Sequence, residues 1–202
     1  MKIVPIKIAS MRAILPEQGI LIYIGQIAGE CYNSSSDKEA CIKRALNCIQ
    51  HGHHSPWEHH NITLRCTVDR GTSHALVRHR HCAFQQSSTI YQKFDEIVVI
   101  GNEKTMSDKD KQFYISSEIR YKQKLEEGCK PAEARDVLPT NLATNLIITT
   151  NIRQWMYMIQ RRCGPGDSDN MHAWCKMVRE WFEEHYPRII LAFDTWYDKH
   201  PL

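Results

Sequence analysis

The 202-residue chain has no long apolar run, no strong charge of either sign and no closely paired cysteines, and each absence removes a class of protein. The longest early apolar stretch is Ile20 to Ile24, closed by Gly25 and Gln26. That is far short of the roughly 20 residues a bilayer-spanning helix requires, so no membrane span is expected. No basic segment followed by an apolar one comes directly after Met1, so no secretory signal is expected and the reading is a cytosolic, cytoplasmic protein. Formal charge is +3, with basic residues dispersed except at Arg78 to His81 and Arg161-Arg162. So mild an excess excludes a nucleic-acid coat. The eight cysteines (Cys31, Cys41, Cys48, Cys66, Cys82, Cys129, Cys163 and Cys175) include no pair at the spacing of a zinc knuckle or redox motif. On spacing alone they read as reduced thiols serving as small hydrophobes. Internal repeats and low-complexity segments are absent. At 42% hydrophobic content the chain suffices for one well-packed core, so residues 1–202 are read as one domain.

Local patterns divide that domain into elements. Ile3 to Ile8 has the β-branched content of a strand, and Glu17 to Tyr32 reads as a buried helix despite its three glycines. Ser36-Asp37-Lys38-Glu39 is a capping box for a helix whose apolar stripe is Ile42, Ala45, Leu46 and Ile49, with Gly52 just past its end. His51 to Glu58 then forms a loop. Ile62, Leu64, Cys66 and Val68 alternate with Thr63, Arg65 and Thr67, the period of a strand with one buried face. Asp69 to Thr72 turns the chain, and Ser73 is placed to cap a short helix carrying Arg78 to Arg80. Tyr91 to Ile100 reads as a strand and Ser107 to Glu127 as a long helix ended by Gly128. Leu142 to Thr150 is a strand or a buried helix, which periodicity alone does not decide. Helices over Asn151 to Arg162, stopped by Gly164-Pro165-Gly166, and over Asp169 to His185, with Pro187 just beyond, complete the series. The order lacks a regular βαβ alternation. The expected class is therefore α+β, with helices packed against a mostly antiparallel sheet.

Chemistry concentrates in three segments. Arg78-His79-Arg80, followed by Ser87, Ser88, Thr89 and Tyr91, gathers guanidinium forks and hydroxyls that suit a small phosphate-bearing ligand. Taken alone, the triplet is equally a solvated basic turn. His51 to His60 holds five histidines, His51, His53, His54, His59 and His60, but lacks the helical His-Glu-x-x-His pattern and a cysteine pair. Hydrogen-bonding or exposed histidines are preferred there over a metal site. On the helix from Asn151 to Arg162, eleven steps turn through about 1100°, so the two residues lie near one face while Arg153 faces away. The helix could serve two ligands or two subunits, or be a solvated amphipathic element.

Together, Gly52-His53-His54-Ser55-Pro56-Trp57-Glu58-His59, Arg78-His79-Arg80 with Ser88 and Tyr91, Arg135-Asp136-Val137-Leu138-Pro139, and Asn151-Ile152-Arg153 through Arg162 resemble flavin-dependent thymidylate synthase, the ThyX family. The resemblance implies an α+β homotetramer with flavin sites between subunits. It implies FAD as cofactor, NADPH as reductant, and transfer of a one-carbon unit from methylenetetrahydrofolate to C5 of dUMP. It places His53, Ser55, Glu58, Arg78, His79, Arg80, Asn151 and Arg153 around FAD. Gln86, Ser87, Ser88, Thr89, Arg135 and Arg162 are placed around the nucleotide, with Arg78 close to both and no metal. Arg162 is the expected catalytic cation, stabilising an ionised uracil ring. Arg135 is the expected phosphate ligand, and Ser88 a contact but not the nucleophile.

The chain departs from the family pattern at Ile90, where an arginine is usual, at Ala83, Gln85 and Ala75, and at Tyr157 on the flavin side. His81 and Lys93 are candidate substitutes for the missing cation. Three readings therefore stay open: a thymidylate synthase with an altered pocket, an enzyme acting on UMP or dCMP or giving a hydroxymethyl product, and an inactive flavin- or nucleotide-binding paralogue.

Overall fold

Two long strands form the spine of the protein, whose computed structural model describes residues 1–201. Strand β3 (Asn61–Asp69) and strand β6 (Ala143–Asn151) pair antiparallel along their whole length, from Asn61 opposite Asn151 to Asp69 opposite Ala143. On β6, Thr144, Leu146, Ile148 and Thr150 are buried in strict alternation, so the segment that could have been strand or helix is a strand. Strand β2 (Lys7–Ser10) flanks β3, and β4 (Ala83–Gln86) flanks β6, giving the antiparallel order β2-β3-β6-β4. A separate parallel pair joins β1 (Lys2–Val4) to β5 (Val98–Ile100). The class is α+β, as the sequence pattern implied.

Two expected strands are interrupted. Pro5 offers no N–H to a ladder, so the segment Ile3 to Ile8 splits into β1 and β2, which enter different sheets. Most of Tyr91 to Ile100 is not strand, because side chains of the next helix take its backbone donors. Phe94 N donates to the Tyr121 hydroxyl at 3.4 Å, and Ile97 N to the Glu118 carboxylate at 3.2 Å.

The helices are α1 (Glu17–Glu30), α2 (Lys38–Gln50), α3 (Arg70–Leu76), α4 (Asp108–Glu126), α5 (Pro131–Ala134), α6 (Ile152–Arg162), α7 (Asp169–His185) and α8 (Pro187–Lys199). Helix α2 opens one residue later than its capping box suggested, with Asp37 accepting from Ala40 N at 3.0 Å. Helix α7 ends at His185 with Pro187 just beyond it, as expected, but Pro187 also opens a further helix. It sits in the first turn of α8, where its missing N–H costs nothing, and Glu17 of α1 accepts from Arg188 N at 2.7 Å and Ile189 N at 3.0 Å. One apolar cluster joins Leu64, Leu146 and Ile148 of the sheet to Trp155, Trp174, Phe182 and Phe193 of α6, α7 and α8. None of the described helices is long and apolar enough to cross a membrane.

Each end of the β3–β6 ladder runs directly into a helix. Asn151 ends β6 and caps α6, its side chain accepting from Gln154 N at 2.9 Å. Asp69 ends β3 and caps α3, accepting from Thr72 N at 2.8 Å and from the Thr72 hydroxyl at 2.6 Å. Ser73 is therefore not the cap; its hydroxyl donates back to Arg70 O. Helix α3 consequently ends at Leu76, and Arg78-His79-Arg80 lies in the turn beyond it, not on the helix.

The reading of all eight cysteines as reduced is corrected at one pair, because Cys163 and Cys175 form a disulfide. The Gly164-Pro165-Gly166 turn, with Gly166 at φ +96°, folds α7 back on α6 and brings together thiols 12 positions apart. That proximity belongs to the helical hairpin and to no local motif. The remaining cysteines are free, Cys41 and Cys66 among them in the core.

Gly25 marks where α1 and α2 touch: a Cβ there would lie 2.0 Å from the carbonyl oxygen of Cys41. Backbone cannot give way as a side-chain tip can, so Gly25→Ala should cost about 3 kcal/mol or more, the upper end for overpacking. Thermal denaturation would show this as a lowered Tm. An unchanged Tm would mean that the two helices do not approach as described.

Candidate functional site

The Asn151 end of the ladder opens into a cavity of about 680 Å³. Arg78, His79 and Arg80 enter it from the turn after α3, Asn151 and Arg153 from the start of α6, and Glu58 from a 3-10 turn over Ser55–His59. Six of the eight residues expected around a flavin thus line one space. His53 and Ser55 do not. His53 lies with His51, Arg44 and Cys48 in a separate concavity at the end of α2, and exposed Ser55 opens the 3-10 turn.

Tyr157, expected on the flavin side, also lines the cavity, whereas His54, Trp196 and Tyr197 were not anticipated. His54 is buried against Phe193 and Trp196, with ring centroids 5.1 and 4.4 Å away, and burial pushes its pKa below the ordinary histidine value. Trp196 and Tyr197 come from α8. The spacing of Ile189, Ile190, Phe193 and Tyr197 carries the helical signal that could have revealed that element. Among the described residues, no three His, Cys, Asp or Glu side chains are grouped to hold a metal ion.

Electrostatically the cavity is cationic. Glu58 pairs with Arg153, but both are about half exposed, at 46% and 49%, so the pair stabilises the fold by no more than about 1 kcal/mol. Neither Arg78 nor Arg80 is among the ion pairs of the described residues. His79 is buried, and its Nε2 accepts from Arg162 Nε at 3.0 Å. Burial first, then the Arg162 and Arg161 charges, lower its pKa to about 4, so it contributes no positive charge near neutrality. Its ring stands edge-on to Tyr157 at 5.9 Å. Free guanidiniums beside the flat faces of Tyr157, Trp196 and Tyr197 suit a ligand that is both anionic and planar.

Arg162 lies behind this cavity. Besides His79 it donates to Ala75 O at 2.9 Å and to Asp167 at 3.3 Å, so its fork is engaged on three sides. Two of the three arginines of α6 thus approach one cavity by different routes, Arg153 directly and Arg162 through His79.

Residues expected around a nucleotide are distributed over neighbouring hollows. Thr89 and Arg135 share one of about 370 Å³ with Arg70, His74 and Asp136, and Arg135 donates weakly to the Thr89 hydroxyl at 3.4 Å. Ser87 and Thr89 line an adjoining one of about 230 Å³, again with Arg70. Gln86, Ser87 and Ser88 border a third, with Arg65, Gln85 and Asn145. The Gln86 amide also donates to Ser73 at 2.8 Å, tying α3 to the sheet, while Ser88 Oγ accepts from Ile90 N at 3.1 Å. Of the candidate substitutes for the missing cation, His81 lines the large cavity and Lys93 is exposed. Arg70 had no signal in the sequence: only the fold brings it beside Arg135.

Comparison with known proteins then places the chain. The family model described as "Thy1: Thymidylate synthase complementing protein" matches residues 17–188. A flavin-dependent thymidylate synthase of Synechocystis sp. is 23% identical over 199 residues, spanning 89% of this chain and 91% of that protein. The corresponding enzyme of Pyrococcus furiosus is 29% identical over 174 residues, spanning 80% and 70%. The crystal structure of a UMP/dUMP methylase, PolB from Streptomyces cacaoi, bound with 5-Br dUMP, superimposes with a TM-score of 0.79 at 17% identity, over 96% of this chain and 97% of that one. At that identity the likeness is one of fold.

The buried His79–Arg162 contact makes a pH-dependent prediction. With a folded-state pKa near 4 against 6.5 for an ordinary histidine, the unfolded chain binds the extra proton first. Stability from this group is therefore complete above about pH 6.5 and declines as pH falls toward 4. An NMR titration should find His79 still largely neutral at about pH 5.5, and Arg162→Ala should raise its pKa by removing a neighbouring positive charge. Ordinary titration of His79 in the unaltered protein would contradict the arrangement.

Proposed function

The chain belongs to the thymidylate synthase complementing family of flavin-dependent methyltransferases, and from that premise we propose that it transfers a one-carbon unit from methylenetetrahydrofolate to C5 of dUMP, giving dTMP. FAD is the proposed cofactor and NADPH the reductant, with the active form a cytoplasmic homotetramer. The observation that carries this reading is the convergence of Glu58, Arg78, His79, Arg80, Asn151 and Arg153 on one cavity. Its donor set fits a dinucleotide flavin, since the guanidiniums match a diphosphate and the aromatic walls match flat rings. When bound, the flavin supplies hydride transfer between the nicotinamide and the one-carbon unit.

In this reading Arg78 and Arg80 hold the diphosphate. Arg153 is oriented by Glu58. Asn151 uses its carboxamide oxygen on Gln154 N, which leaves its NH2 group to donate. His53 and Ser55 serve the cofactor from outside this chain's cavity, across a subunit boundary. Arg162, fixed by Ala75 O and Asp167, stabilises negative charge on the pyrimidine ring as C5 becomes electron-rich. Gln86, Ser87, Ser88, Thr89 and Arg135 contact the nucleotide, with Arg78 between the two ligands. Ser88 acts as a hydrogen-bonding contact and not as a nucleophile.

The absence of a cation at Ile90 favours a second reading in which the chemistry is kept and the acceptor is UMP or dCMP, or the product is hydroxymethylated. An inactive paralogue would have no need to hold Arg78 and Arg80 unpaired at one cavity.

The purified protein should take up FAD stoichiometrically and turn yellow. Loss of one charge-assisted bond in Arg80→Ala should weaken FAD about ten- to a hundredfold, corresponding to roughly 1.5–3 kcal/mol. With FAD, NADPH and methylenetetrahydrofolate, release of tritium from C5-labelled dUMP would support the first reading. Release only from UMP or dCMP would support the second, and failure to bind FAD would remove the enzyme reading.

A further inference from the structure

Arg70 is the first residue of α3, its backbone N–H donating to the carbonyls of Thr140 and Leu142 at 3.1 Å. Its side chain reaches two adjoining hollows, of about 370 and 230 Å³, which share Arg70, Thr89 and Leu142 as common wall. One guanidinium nitrogen, Nη1, is fully covered yet has no hydrogen-bond partner. Neither Arg70 nor Arg135 is among the ion pairs of the described residues. The carboxylates nearest in the chain do not compensate, since Asp69 is committed to Thr72, and Asp136 lines the hollow without pairing. Burial and then the Arg135 charge lower the pKa of Arg70.

Two like charges facing one partly enclosed space, neither paired with the Asp136 carboxylate that also lines it, form an arrangement that an anion would complete. The hollow next to it differs in character. Thr67, Ser87, Asn145 and the Phe94 ring offer hydroxyl, amide and aromatic edges but no further cation. A small ligand with a dianion at one end and a polar sugar and flat base at the other matches that division.

We propose that Arg70 and Arg135 together receive the phosphate of the pyrimidine nucleotide, Arg70 supplying the cation that Ile90 does not. This rests on the nucleotide reading above. With the phosphate held at the Asp69 end of the ladder, the base must meet a flavin held by another copy of the chain.

The test is calorimetric titration of the FAD-loaded protein with dUMP, deoxyuridine and inorganic phosphate. Arg70→Gln should weaken dUMP at least tenfold and leave deoxyuridine, which has no phosphate, unchanged. Arg70→Lys, which keeps the charge, should retain part of the affinity. Equal dUMP binding in Arg70→Gln and the unaltered protein would overturn the inference while leaving the nucleotide reading intact. So would equal losses for dUMP and deoxyuridine. Arg70-dependent binding of inorganic phosphate without binding of dUMP, UMP or dCMP would leave an anion site but overturn its assignment to a nucleotide.

Discussion

The β3–β6 ladder is the constraint on which the site depends, because both of its ends convert strand into helix within one residue. Asn61 faces Asn151 and Asp69 faces Ala143, eight steps apart, or about 27 Å at ordinary strand rise. At one end the Asn151 amide starts α6 and delivers Arg153 to the large cavity. At the other the Asp69 carboxylate starts α3 and delivers Arg70 to the smaller hollows. A slip of one residue in register would turn the buried Leu146, Ile148, Leu64 and Cys66 outward, so burial of the sheet's inner face fixes the spacing of the two cationic ends.

Helix α3 links those ends. It begins at Asp69, and its penultimate residue, Ala75, offers the carbonyl that holds Arg162; the turn beyond it carries Arg78, His79 and Arg80. His79 then receives Arg162 Nε as a neutral acceptor, which is possible because burial keeps its proton off. A protonated His79 would have no lone pair for that bond and would face a guanidinium as a second cation. The order of events is clear in physical terms: the cap sets the helix, the helix sets the turn, and burial of the turn's histidine sets the charge pattern.

How much of this was legible in the sequence depended on whether a signal was local. Alternation marked β3, helical spacing marked α2 and α7, and the ordered blocks from Gly52 to Arg162 carried the family resemblance. Choices between neighbouring caps were less legible, because Asp37 and Ser36, or Asp69 and Ser73, are all competent caps and tertiary packing selects one. Pro187 marked the end of α7, but its second role, opening α8 where Glu17 of the distant α1 accepts from Arg188 N and Ile189 N, depends on a tertiary contact that no local signal carries. The Cys163–Cys175 bond and the meeting of Arg70 with Arg135 were illegible for a stronger reason. Each joins residues that no periodicity relates, and each exists only once helices and sheet have packed.

The departures from the family pattern fall where the fold can absorb them. Along β4 exposure alternates, with Ala83 and Gln85 outward and Phe84 and Gln86 inward. Gln86, retained, holds Ser73 of α3. Ala83 and Gln85 face away from the core, so changes there leave α3 and the flavin-side turn undisturbed. Ile90 is likewise exposed, at 42%, in the segment after β4, where a lost guanidinium removes no buried partner. At Ala75 it is the backbone carbonyl that holds Arg162, so the identity of the side chain is released from that task. The nucleotide side could therefore diverge one position at a time, whereas His79 and Arg162 are locked together with Ala75 O and Asp167 in a set of contacts whose members depend on one another.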